Sequence, residues 1–120
     1  PAHFGHLPVW SEGNVYLAGA KPCRMEKNGL YVANERDDVK IELVEKDGTY
    51  RLETNVYELF EGFSGKMVHT DVLGMAFEPE QKFENPDGTP IRFDSDYFGN
   101  HRGVNVLPGP FAEAFAEILF

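Results

Sequence analysis

Apolar and polar side chains alternate most clearly over residues 39–45 and 49–55, two runs joined through Lys46, Asp47 and Gly48. An Asp-Gly pair supplies the positive φ angles of a type I′ turn, whose twist matches that of two antiparallel strands. With Lys46 opposite Thr49, Leu43 falls across from Leu52 and Ile41 across from Thr54, and Val39 shares their side. That register predicts one buried apolar face. It also sets Glu42 opposite Glu53 on the other face, about 5 Å apart at Cβ. Two carboxylates at about that separation suit a retaining glycosidase. Lys40 and Arg51 on the same face neutralise both, however, and the pattern reads as a solvated charged ladder.

Elsewhere the pattern is shorter. Residues 14–18 and 30–34 alternate as strands, and 19–28, with Pro22, reads as a loop. Asn55 followed by Glu58 forms a capping-box pattern and Gly62 a stop, predicting one or two helical turns over 56–61. Residues 66–77 carry apolar side chains on both parities, as expected of a central strand covered on both sides. Asn85-Pro86-Asp87-Gly88 is a turn, because Pro86 presets φ and Gly88 accepts the left-handed region. Pro90 makes its own strand, with 91–93, an edge or delays its start. Gly109-Pro110 opens a segment with Phe111, Phe115, Ile118 and Leu119 on one side, which predicts a short amphipathic C-terminal helix. Turns recurring at this spacing predict a single domain over 1–120, all-β or β-rich α+β: a small antiparallel β-sandwich or open barrel with a short C-terminal helix.

Composition narrows the partners. The chain has 120 residues, 11 Lys and Arg against 20 Asp and Glu, and a formal net charge of -9. Such a surface repels a phosphate backbone, so nucleic acid and anionic membrane are not expected partners. No apolar run approaches the ~20 residues of a membrane span, and the first residues lack the basic and apolar regions of a signal peptide. The chain is expected to be soluble. Its single cysteine, Cys23, makes no internal disulfide, which favours the cytoplasm while leaving the compartment unknown. Ten Phe, five Tyr and one Trp suffice for one core.

The densest chemistry lies in residues 83–102. Asp94, Asp96, Tyr97, Asn100, His101 and Arg102 cluster beside a rigid turn and exceed what a hairpin needs. Asp94, Asp96 and Gly99 imitate the opening of a calcium loop, but position 12 is Asn105, so an EF-hand is rejected. A looser calcium site on Asp94, Asp96 and Asn100 stands against an Asx-type turn with solvated carboxylates. Tyr97, Phe98, His101 and Arg102 offer aromatic faces and donors of the kind that hold sugars, with Trp10 and Tyr16 as further candidates. His69 and Asp71 share a parity and can pair as a base and its orienting carboxylate. His3 and His6 can reach one metal but lack a completing ligand. Phosphate-binding glycine loops, paired cysteines, zincin and nucleophile-elbow motifs are absent.

The expected function is binding of a small neutral polyhydroxylated ligand, carbohydrate-like, through Asp94, Asp96, Tyr97, His101 and Arg102. Calcium is the one cofactor the sequence admits, and none is required. One alternative is a small cofactor-independent acid/base enzyme, a hydrolase, lyase or isomerase, with His69 as base and Asp71, or an aspartate of the Asp94/Asp96 pair, orienting it or acting as acid. The other is a structural protein that associates as a homodimer.

Overall fold

A computed structural model describes residues 9–32 and 38–120. His3, His6 and the last two residues of the predicted 30–34 strand lie outside them. The described chain is strand-rich: nine short strands and two single-turn helices, in the order β1 (Ser11–Glu12), β2 (Val15–Tyr16), β3 (Glu26–Lys27), β4 (Leu30–Tyr31), β5 (Ile41–Lys46), β6 (Thr49–Thr54), α1 (Val56–Leu59), β7 (Gly65–Lys66), α2 (Thr70–Leu73), β8 (Asn105–Val106) and β9 (Glu117–Leu119). They form four small sheets.

β1 pairs with β3 and β2 with β4, both parallel and both at the same offset along the chain, Ser11 to Glu26 and Val15 to Leu30. They therefore behave as one parallel pair interrupted at Gly13 and Asn14. Glu26 holds the interruption together. Its Oε2 accepts from the Ser11 hydroxyl, Asn14 Nδ2 at 2.9 Å and the Tyr16 hydroxyl at 2.9 Å, while Oε1 accepts from Asn14 N at 3.0 Å. The Ser11 bond is the largest influence on this carboxyl; burial opposes it, and the Asn14 and Tyr16 bonds add to it. The net result is a pKa lowered to about 2. A Cβ on Gly29 would lie 2.6 Å from Glu26 Oε1, so only glycine admits the pinned carboxylate.

β5 and β6 form the hairpin in the expected register, with Lys46 opposite Thr49 and Leu43 opposite Leu52. Asp47 and Gly48 take φ of 53° and 76°. The charged face is also as expected at Lys40, whose Nζ lies 3.6 Å from Glu42 and 3.3 Å from Glu53, but Arg51 turns instead to Glu117, at 3.1 Å. The expectation of a buried apolar face is corrected. Ile41 and Leu43 are 66% and 64% exposed, because no layer among the described residues packs over that face of β5.

Two further expectations are corrected. The predicted C-terminal helix does not form: its last residues are β9, antiparallel to β6 with Ile118 opposite Leu52. The same apolar side chains that suit a helical stripe also suit a strand that completes a sheet, and the unpaired edge of β6 offers the hydrogen bonds. The predicted 66–77 strand is instead β7, a short link and α2. Apolar side chains on both parities also suit a single helical turn between strand ends, and here the helix takes Thr70, whose hydroxyl donates to Phe83 O at 2.7 Å.

α1 begins where expected, but Asn55 makes no side-chain cap. Its Oδ1 accepts from Lys40 N at 2.8 Å, tying the helix start to the hairpin, and Thr54 Oγ1 accepts from Val56 N at 3.2 Å. The Asn85–Gly88 turn closes through Gly88 N to Asn85 O at 2.8 Å. Among the described residues only Phe60, Met67 and Phe111 are buried apolar side chains. No helix among the described residues is long and apolar enough to cross a membrane.

Candidate functional site

The loop that dominates the sequence is built around Asp96. Its Oδ1 accepts from Phe98 N at 2.9 Å and Asn100 N at 2.8 Å, and its Oδ2 from Asn100 Nδ2 at 3.2 Å and Ala112 N at 2.9 Å. Burial works to raise this carboxyl, but the hydrogen bonds from Ala112, Asn100 and Phe98 outweigh it and hold the group below the usual range. A carboxylate has about four lone-pair sites. Asp96 spends all of them on its own chain.

Arg102 is committed only through one nitrogen, since its buried Nε has no hydrogen-bond partner among the described residues. Its Nη2 donates to Leu107 O, to Gly109 O at 3.0 Å and to Phe111 O at 3.5 Å, holding residues 107–111 against the loop. Asp94 faces Arg92, with Oδ2 3.5 Å from Nε. Tyr97 and Phe98 meet edge to face at 5.1 Å and extend a chain of rings through Phe111 and Phe115 to Tyr57 and Phe60. Phe98 also lies 6.1 Å from Phe120, so the loop is fastened to the end of β9. Among the described residues, no group of three or more His, Cys, Asp or Glu side chains is placed to hold a metal ion.

Three cavities divide the remaining candidates. Asp96, Asn100 and His101 line one of about 420 Å³, whose other wall is Phe111, Phe115 and Ile118. His69 and Asp71 line another of about 380 Å³ with Lys66, Arg92 and Asn105. His69 precedes α2 in extended conformation and Asp71 sits in its first turn, paired with Lys82 at 3.7 Å. The helix, not a strand face, brings the two to one cavity. Tyr97 lines none of the three, and Tyr16 is committed to Glu26.

The largest of these three, about 530 Å³, lies between the β1–β2 segment, α1, β7 and the 106–110 loop. Trp10, Tyr57 and Phe60 give it aromatic walls, and Glu12, Asn14 and Lys66 bring polar groups to it. Of the 94–102 cluster only Arg102 reaches it. Burial pushes the Tyr57 phenol up, against the pull of Arg102. Gly109 has φ of 100°, and a Cβ there would lie 3.4 Å from the Tyr57 oxygen. Trp10 retains 45% of its surface. Sequence reasoning placed Trp10 only as a supplement to the 94–102 loop and missed Lys66, whose neighbours read as an interior strand. Trp10, the one tryptophan of the chain, was the available signal.

No family model matches the chain, and no curated protein matches it. A solved structure does: XylC, in complex with xylose, is similar over 93% of this chain at 26% identity and a TM-score of 0.76. The match covers 18% of XylC, so this chain spans less than a fifth of that protein's length. The likeness extends across the β-rich architecture described above.

Proposed function

We propose that this β-rich chain binds a neutral sugar, of the size of a pentose or a short oligosaccharide, in the cavity walled by Trp10, Tyr57 and Phe60. The observation that carries the reading is the similarity over nearly the whole chain to XylC, a protein solved with xylose. The cavity's form supports it: at about 530 Å³ it falls within the range of small-ligand pockets, and it combines apolar walls with few polar groups. Aromatic faces pack against the C–H face of a sugar ring; the Asn14 amide N–H groups donate to Ser11 and Glu26, so its Oδ1 is the atom that can accept from a hydroxyl. The same reading moves the ligand away from Asp96, because a carboxylate with four internal hydrogen bonds has no capacity left for a hydroxyl.

Titration of xylose into the chain, followed by amide and indole NMR shifts, tests this. Perturbations are expected at Trp10, Asn14 and Tyr57, and Trp10→Ala should weaken binding about tenfold, the loss of one stacking face. Shifts confined to residues 96–101, or no shift at tens of millimolar xylose, would sink it.

A further inference from the structure

The 380 Å³ cavity beside the sugar cavity has a different character. Two cross-strand pairs face it. Lys66 stands opposite Asn105 in the β7–β8 ladder, and His69 stands opposite Arg92 in an isolated bridge. Paired residues project to the same side of a ladder, so an ammonium, an amide, an imidazole and a guanidinium converge on one space. Asp71 is offset by Lys82 at 3.7 Å and Asp94 by Arg92 at 3.5 Å. Lys66 makes no ion pair among the described residues. In a chain of formal charge -9, an uncompensated lysine among donor side chains is a local reversal of sign.

Lys66 and Val72 line this cavity and the larger one alike. The two spaces therefore share a wall. We infer that the Lys66–Asn105–His69–Arg92 cavity is a subsite for a carboxylate carried on a sugar, so that the ligand is an acidic saccharide with a uronic acid unit next to a neutral one. The inference rests on the sugar reading above. A carboxylate is the anion that fits: it accepts from Lys66 Nζ and from the remaining guanidinium and amide N–H groups, while the acidic surroundings penalise the second charge of a phosphate.

The test uses glucuronate, glucose and the uncharged methyl ester of glucuronate, each titrated into the chain at low salt, with xylose in parallel. Glucuronate should bind about tenfold more tightly than glucose or the ester and lose that advantage as salt rises. Lys66→Gln should abolish the advantage and Arg92→Gln should reduce it severalfold, the latter leaving xylose affinity unchanged. Asn105→Asp keeps both cations but sets a carboxylate opposite Lys66, and it should also remove the preference. Equal binding of glucuronate and glucose, or a preference that survives Lys66→Gln in a folded protein, overturns the subsite. If xylose fails to bind while glucuronate binds in an Arg92-dependent way, the anionic subsite stands and the neutral-sugar reading falls. If xylose binds in a Trp10-dependent way and glucuronate shows no preference, the reverse holds.

Discussion

The 94–102 loop and the cleft around Trp10 and Lys66 differ in what their polar groups are doing. In the loop, Asp96 accepts four hydrogen bonds and Arg102 donates to three carbonyls, all within the chain. In the cleft, Lys66 has no ion pair among the described residues and Trp10 is only half covered. Chemistry that a ligand can use is chemistry the fold has not used. A dense polar motif in an irregular segment is therefore weak evidence for binding, because backbone groups outside regular structure must find partners somewhere.

Four outcomes sharpen or break this contrast. The largest effect is expected at Phe111, 7% exposed and in ring contact with Tyr97, Phe98 and Phe115. Phe111→Ala should cost about 3 kcal/mol in chemical denaturation, since it removes the ring that joins the loop to the core. An unchanged midpoint would mean that the loop is not structural after all.

Asp96→Ala should come next. It strands three backbone amides, and the melting temperature should fall by about 5 °C or more, with xylose binding intact once the protein is folded. Loss of sugar binding in a variant of undiminished stability would return the site to the loop.

Glu26 gives a pH-dependent effect of smaller size. Its carboxyl is depressed to about 2 in the folded chain, from an ordinary value of 4.5. A depressed carboxyl stabilises the fold fully above the unfolded value, and the contribution is lost as pH falls from 4.5 through about 2. Glu26→Gln should remove that part of the acid dependence, and Gly29→Ala should do the same by displacing the carboxylate. An acid melting profile identical in wild type and Glu26→Gln would count against the network.

Calcium should produce the smallest effect. With the oxygens of Asp96 committed and Asp94 facing Arg92, millimolar calcium should move the melting temperature by less than about 1 °C. A larger rise that Asp94→Asn abolishes would show that the loop holds an ion.

The chain's own pattern determined the elements whose reasons are local. The β5–β6 register follows from Asp47-Gly48, because two successive positive φ angles admit one pairing. The Asn85–Gly88 turn, the start of α1 after Asn55 and the β-rich class follow in the same way. Tertiary structure alone decided the rest. Residues 110–119 have the side-chain periodicity of a helix, but the free edge of β6 supplies a partner for β9. Ile41 and Leu43 alternate correctly, yet whether their face is covered depends on which layer packs there, and none among the described residues does. Lys66, the His69–Asp71 turn and Arg92 come from separate stretches and meet through a bridge and a ladder that no spacing announces. Whether a carboxylate is free for a ligand or consumed by the backbone depends on the path of a loop sixteen residues away, as Ala112 N on Asp96 shows. Local geometry is encoded in a few neighbouring residues, whereas the availability of a polar group is a property of everything that packs around it.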